Sequence, residues 1–351
     1  MHKVNNQMNI PSFVKNDEIE LSAWLEKIIE AFRKHKIQFL FGAGMSCDDN
    51  NDLPLGKELT KIMLKEFFPK TSEYKPTDIV LNEMINKYPF EIIAEALSDS
   101  LPNKRIGLSE LLKDHIVGKS INPPDAYQNF ADLRNIFKWP KEVYTTNFDH
   151  LFKETFQDGA SEIHHENTSE YQNAVDSELI PIIHLHGNLE SGNYQITETD
   201  YYDNRKSTLM ARFKTALRSN DVFIFVGFSL NDFDFKDVYR EYLKAIDDGM
   251  VNDKTAFFVS PPDNHHDYLL GKRIWSVRKM NWIPYTAQEF FMRLNIAHKN
   301  LSEGKSKEKI GQLYSRTPAD TEQLIYEIQN LLLISEKEAI QYLLEAKNQF
   351  V

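Results

Sequence analysis

Phe39-Leu-Phe-Gly-Ala-Gly-Met-Ser46 is an apolar run that stops on two glycines one residue apart. Together with Ile37 and Gln38 it predicts a short buried strand over 37–41, closed by a tight turn at Gly42-Ala43-Gly44. Upstream, Leu21, Leu25, Ile28, Ile29 and Phe32 recur at helical spacing, so residues 17–36 read as an amphipathic helix leading into the strand. Glycine permits the turn and lets backbone N–H groups approach a pyrophosphate, and a following helix N-terminus would add its positive dipole. The fuller G-x-G-x-x-G pattern is incomplete, because Cys47 stands where the third glycine would be. Nor does an acidic ribose-binding residue stand at the usual distance downstream. Taken by itself the turn leaves a purely structural role and a nucleotide-binding role both open.

Working outward, strands are expected at 142–146, 180–185, 221–226 and 255–260, with helical patterns at 208–219 and 235–246 between them. Alternating strand and helix argues for an α/β, Rossmann-like, mostly parallel sheet with helices on both faces. The unbroken apolar character of 222–226 suits a strand covered on both sides. Helical patterns fill 55–118, broken near Pro69, Pro76, Pro89 and Pro102, and Asn122-Pro-Pro-Asp125 reads as a loop. The expected organisation is a domain over 1–285, interrupted by a helical insertion at about 55–135, followed by a helical C-terminal tail over 286–351. The polar stretch Ser302-Glu-Gly-Lys-Ser-Lys307 is expected to act as a linker within that tail.

Composition narrows the class. With 41 basic and 52 acidic residues the net charge is -11, which opposes binding to a phosphate backbone, and the nearest basic cluster is only Lys272-Arg273 with Arg278-Lys279. Direct nucleic-acid binding is therefore not expected. One cysteine, Cys47, allows neither an internal disulfide nor a tetracysteine zinc site, and no metal is expected. The opening residues lack the apolar core of a signal peptide and no stretch is long and apolar enough to span a bilayer, so a cytoplasmic location is expected.

Three further strand ends carry polar residues, and in open α/β sheets ligands bind at the carboxyl ends of strands. Val143-Tyr-Thr-Thr-Asn-Phe-Asp149 offers Asn147, both donor and acceptor, and Asp149; either could contact a ligand or cap the helix that starts near His150. In Ile182-Ile-His-Leu-His-Gly187 the strand period of two puts both histidines on the same side. A metal pair is one reading and would need further ligands, for which His164-His165 and His265-His266 give no clear pointer. The preferred reading makes His186 a general base at the strand tip and His184 a hydrogen-bonded residue behind the site. Phe223-Ile-Phe-Val-Gly-Phe-Ser-Leu-Asn231 repeats the strand-then-glycine design with Gly227 and Ser229, and Asn231 or Asp232 would cap the next helix.

The ordered set of glycine turn, Thr-Thr-Asn-Phe-Asp, Leu-His-Gly and Gly-Phe-Ser-Leu over roughly 37–260 resembles the NAD-contacting segments of the sirtuins. It looks closest to the sirtuin-like NADases of bacterial antiphage defence. That resemblance implies NAD as substrate, cleaved to nicotinamide and ADP-ribose. It implies that Gly42, Ala43, Gly44 and Ser46 hold the pyrophosphate, Asn147 positions the nicotinamide ribose and a water, and Asp149 contacts the carboxamide. By the same resemblance His186 is the catalytic base, and Gly227 with Ser229 lines the adenosine end. Two departures stand out: the deacylases' four zinc cysteines are absent, and Asp52-Leu-Pro-Leu-Gly56 replaces their Ile-Pro-Asp-Phe-Arg segment. The alternatives are a non-catalytic NAD or ADP-ribose sensor, or an NAD-dependent deacylase. A homo-oligomer, or a defence partner such as an ATPase or a nucleic-acid sensor, is the implied assembly.

Overall fold

The structure is a computed structural model that describes residues 17–47, 53–68, 76–117, 122–164, 168–190, 193–203, 208–228, 236, 238–240, 242–243 and 255–314. A leading helix α1 (Glu18–Arg33) delivers the chain to β1 (Ile37–Phe41), whose five residues are all buried. Helices α2 (Gly56–Phe67), α3 (Asp78–Lys87), α4 (Phe90–Ser100), α5 (Arg105–Ile116) and α6 (Asp125–Phe137) follow before the next strand. Then come β2 (Val143–Thr145), α7 (Leu151–Phe156), β3 (Ala160–Ile163), α8 (Thr168–Asp176) and β4 (Ile180–His184). A short hairpin of β5 (Gly187–Asn188) and β6 (Asn193–Tyr194) leads to α9 (Glu198–Asp203) and α10 (Thr208–Ser219). The described chain closes with β7 (Val222–Val226), β8 (Thr255–Val259), α11 (His265–Val277), β9 (Asn281–Ile283) and α12 (Ala287–Tyr314).

Among the described residues seven strands form one sheet in the order β3-β4-β2-β1-β7-β8-β9, and every neighbouring pair is parallel. Such a sheet needs cover on both faces. On one face Phe39 and Phe41 of β1 meet Phe130 of α6 and Phe291 of α12 at ring separations of 4.9–6.2 Å. On the other, Phe213 of α10 packs edge-on against Tyr144 and Phe223. Each fully buried phenylalanine contributes about 1.5–3 kcal/mol of burial free energy, so this aromatic layer is a main source of the sheet's stability. Gln38 breaks the apolar run but is 3% exposed, and its Oε1 accepts the Phe39 N–H at 2.8 Å.

A second apolar core lies outside the sheet. Leu59, Met63, Leu81, Leu97, Leu108 and Leu112 of α2–α5 pack with Leu189, Tyr194 and Ile196 from the β5–β6 hairpin and its exit. Arg105 fastens the two: it pairs with Asp200, donates to the Tyr194 carbonyl and stacks over the Tyr194 ring at 4.4 Å. The helical insertion is thereby anchored to the segment that directly follows His186.

Two expectations change. The linker expected at 302–307 is continuous helix, because α12 runs unbroken from Ala287 to Tyr314 and its first turns enter the main core through Phe290, Phe291 and Leu294. The edge strands β3 and β9 were not anticipated. The sequence patterns assigned to 229–235 and to the tail beyond 314 lie outside the described residues.

Candidate functional site

The glycine turn folds as a short 3₁₀ segment, Ala43–Met45, pressed against the tip of β7. The Gly42 N–H donates to the Val226 carbonyl and the Gly44 N–H to the Gly227 carbonyl, both at 2.9 Å. Met45 and Ser46 N–H groups return to Gly42 and Ala43 carbonyls. A Cβ on Gly44 would come within 2.7 Å of the Gly227 Cα, and one on Gly227, where φ is +77°, would overlap the Met45 nitrogen. The reason for glycine at 42, 44 and 227 is thus the mutual approach of two strand tips. Four of the turn's donors are used inside the protein, which leaves Ala43 and the Ser46 side chain as the parts of the turn that line the cleft.

That cleft has a volume of about 610 Å³. It opens beyond the carboxyl ends of β1, β2 and β4, and its walls include Ala43, Ser46, Asn147, Asp149 and His186. Chain direction across the sheet reverses here, since the chain builds β2, β3 and β4 on one side of β1 and β7 resumes on the other. This is the switch point at which open α/β sheets bind ligands. The opposite wall comes from the helical insertion, through residues such as Leu59, Tyr88 and Ile92, and from Leu53, Pro54 and Gly56, where the sequence departs from the deacylase pattern. Gly42, Gly44 and Gly227 stand behind the lining rather than in it, and Ser229 lies outside the described residues.

Inside the wall, four side chains share one polar network. Ser46 Oγ donates to Asp149 Oδ2 at 2.8 Å, accepts from Asn147 Nδ2 at 3.0 Å and meets the Tyr127 hydroxyl at 2.7 Å. Asp149 Oδ1 also accepts the Leu151 N–H at 3.2 Å, so the residue serves the start of α7 and the cleft together. Asn147 is held by its backbone as well, its N–H bonded to Thr145 Oγ1 at 3.0 Å. Anchoring its Nδ2 fixes the plane of the amide, which is what a positioning residue requires. Tyr127 was not anticipated; it comes from α6, where an apolar helical pattern carried no sign that its hydroxyl faces a site.

Burial raises the Asp149 carboxyl above the ordinary carboxylate range, against a hydrogen bond from Ser46 that lowers it. Burial also raises the Tyr127 phenol, and the neighbouring Asp149 adds to the shift. The folded chain therefore holds the Asp149 proton more tightly than the unfolded chain does, and this residue's contribution to stability falls as pH rises through its folded pKa. Asp149→Asn removes that cost and keeps an oxygen for Ser46 or Leu151. Thermal melts of wild type and the Asp149→Asn variant from about pH 4 to about pH 8 should diverge in favour of the variant as pH rises. A wild-type advantage that grows with pH would contradict this reading.

The two histidines of the β4 strand end part company, because β4 stops at His184. His186 is 6% exposed and sits between Phe148 and Tyr201, at ring separations of 6.0 and 5.5 Å, on the cleft wall. Gly187, at φ +73°, turns the chain at once into the β5–β6 hairpin, and a Cβ there would strike the Asn193 carbonyl. His184 instead lies behind Asn147, its Nδ1 2.9 Å from the Asn147 carbonyl and its Nε2 3.2 Å from Glu162 Oε1. His150 Nδ1 reaches the same carboxylate at 2.8 Å. Burial alone would raise Glu162, but the surrounding histidines hold it far below the usual carboxylate range.

Residues 141–278 match the family model described as SIR2-like domain. Strands β2, β4 and β7, with the Asn147 and His186 strand ends, fall inside the matched span. A solved Sir2 homologue–NAD complex is 14% identical, with 79% of this chain and 94% of that chain covered at a TM-score of 0.43. A Sir2 homologue–ADP-ribose complex is 15% identical over 79% of this chain and 98% of that one, TM-score 0.43. Sir2Af2 bound to a myristoylated histone peptide is 16% identical over 81% and 99%, TM-score 0.40. No curated protein sequence matches the chain. Among the described residues no helix is long and apolar enough to cross a membrane.

Proposed function

We propose that the chain is an NAD⁺ hydrolase that cleaves the nicotinamide–ribose bond and releases nicotinamide and ADP-ribose. The observation that carries this reading is the convergence of Asn147, Asp149, His186, Ser46 and Ala43 on one cleft at the sheet's switch point, within and beside a SIR2-like domain. The pyrophosphate would meet the Ala43 edge of the glycine turn. Asn147 would aim a water at the anomeric carbon, and His186 would take the proton of that water or of a ribose hydroxyl. As the C–N bond lengthens, its electron pair leaves with nicotinamide and the ribose gains oxocarbenium character. Fixed polar groups in a water-poor cleft stabilise such developing charge better than solvent does. The absence of tetracysteine ligands and the altered segment at 52–56 favour hydrolysis over acyl-lysine recognition.

In this reading the enzyme depletes NAD in bacterial antiphage defence and is restrained by assembly with itself or with a partner. Titration calorimetry with NAD, run beside a nicotinamide-release assay and an acetyl-lysine peptide assay, separates the readings. Binding with release and no deacylation is expected. Binding without release would favour a sensor, and release that requires the peptide would favour a deacylase.

A further inference from the structure

On the far side of Asn147 from the cleft, three metal-ligating side chains meet at one point. Glu162 stands on β3, His164 follows that strand by one residue, and His184 ends β4. The parallel register pairs Glu162 with Ile182 and Ile163 with Ile183, which brings His164 level with His184 at the strand ends. Their rings lie 4.5 Å apart, and one donor atom from each of the three residues lies within 4.8 Å of the other two.

The hydrogen bonds decide what each nitrogen can be. The Asn147 carbonyl can only accept, so His184 Nδ1 must carry the hydrogen across the 2.9 Å contact. In a neutral ring Nε2 then holds a lone pair, and that lone pair faces Glu162 Oε1 at 3.2 Å. Either a shared proton or a shared cation can bridge two such atoms at this distance, and the second is what a metal site supplies. The second histidine points the same way: His164 Nε2 is 3.7 Å from Glu162 Oε2, too long for a hydrogen bond. Donors held about 2.0–2.1 Å from a tetrahedral ion sit roughly 3.3–3.5 Å from one another; the 3.2 Å contact is close to that spacing, and the 3.7 Å one, to the carboxylate's other oxygen, lies slightly beyond it. A ring N–H given to a backbone carbonyl while the other nitrogen faces the metal is the usual posture of a ligating histidine. His150, through its 2.8 Å contact, orients the carboxylate from the side. The side chains of Glu162 and His164 keep 17% and 15% exposure, so an ion can reach them from solvent.

We infer that Glu162, His164 and His184 form a binding site for a divalent cation of the zinc class, selected by two imidazole nitrogens and one carboxylate oxygen. A bound ion would lock His184 and, through its Nδ1–H, the backbone of Asn147. The site is separate from the cleft, and its existence does not depend on what the cleft binds.

The test uses the full chain, stripped with chelator and desalted. Zinc loading followed by elemental analysis should return one retained equivalent per chain, and Co²⁺ titration should give the visible bands of a low-coordinate N/O site. Glu162→Gln and His164→Ala, each checked for folding by circular dichroism, should weaken Co²⁺ binding at least about tenfold, since even outer-shell changes at metal sites cost that much. The double variant His265→Ala/His266→Ala should bind as wild type does. In ¹⁵N-histidine-labelled wild type, zinc should shift two Nε2 resonances, a readout that needs no variant. Wild type that retains no ion would overturn the proposal. Binding unchanged in both ligand variants, or lost in the 265/266 variant, would overturn it as well.

Discussion

His186→Ala should lower NAD turnover by about a hundredfold or more, the scale on which a positioned general base acts. The imidazole is enclosed between Phe148 and Tyr201 and borders the cleft, so no solvent base can take its place at the same distance and angle. Asn147→Ala should fall at least as far, for a different reason. Its amide fixes direction: Nδ2 is tied to Ser46 Oγ and its N–H to Thr145 Oγ1, so truncation removes the group that orients the nucleophile and also frees Ser46. The losses should appear in kcat more than in KM, because neither side chain is assigned to the phosphates. Steady-state kinetics with melts of both variants make the check. Folded variants with wild-type nicotinamide release would remove both residues from the mechanism.

Gly227→Ala should destabilise the fold by about 3 kcal/mol or more, the sum of a left-handed backbone strain and a backbone clash. The new Cβ would overlap the Met45 nitrogen and lie 2.7 Å from the Gly44 carbonyl carbon. Both neighbours are backbone atoms, and the Gly44 N–H is bonded to the Gly227 carbonyl itself, so neither tip can retreat without breaking the other's hydrogen bonds. Gly159→Ala is the contrast, because nothing lies within 4 Å of its Cβ position; it should change stability by less than about 1 kcal/mol. Urea titrations of the two variants read the difference directly. A Gly227→Ala protein as stable as wild type would mean that the two strand tips are not locked together.

The central strands were legible because a parallel sheet covered on both faces writes itself as unbroken apolar runs. Val222–Val226 carries that signature unbroken, and Ile37–Phe41 and Thr255–Val259 carry it apart from Gln38 and Thr255. The edge strands were not. Ala160-Ser-Glu-Ile163 mixes two half-buried polar residues with two buried apolar ones, and Asn281–Ile283 is only three residues long. Missing β3 also hid Glu162, whose meaning comes wholly from the histidines that parallel pairing sets around it. The strand-end residues Asn147, Asp149 and His186 were legible, since polar side chains after apolar strands mark the sheet's ligand edge. Tyr127 was not, because it lies 81 residues from Ser46 and only packing of α6 on the sheet brings the two hydroxyls together. The glycine turn was found, but one reason for glycine there, the close approach of Gly227 across the turn, was not legible in the sequence. The polar run after Ser302 was misread because polarity reports a lack of burial, and helix α12 continues through it regardless.

Everything proposed for the cleft rests on its ability to break one glycosidic bond with water. The most direct measurement is incubation of the purified chain with NAD, with the products separated by chromatography and quantified over time. Nicotinamide and ADP-ribose rising together in equal amounts, and absent with the Asn147→Ala/His186→Ala double variant, is the result expected. NAD recovered intact after demonstrated binding, or an equal yield from the double variant, would contradict the account.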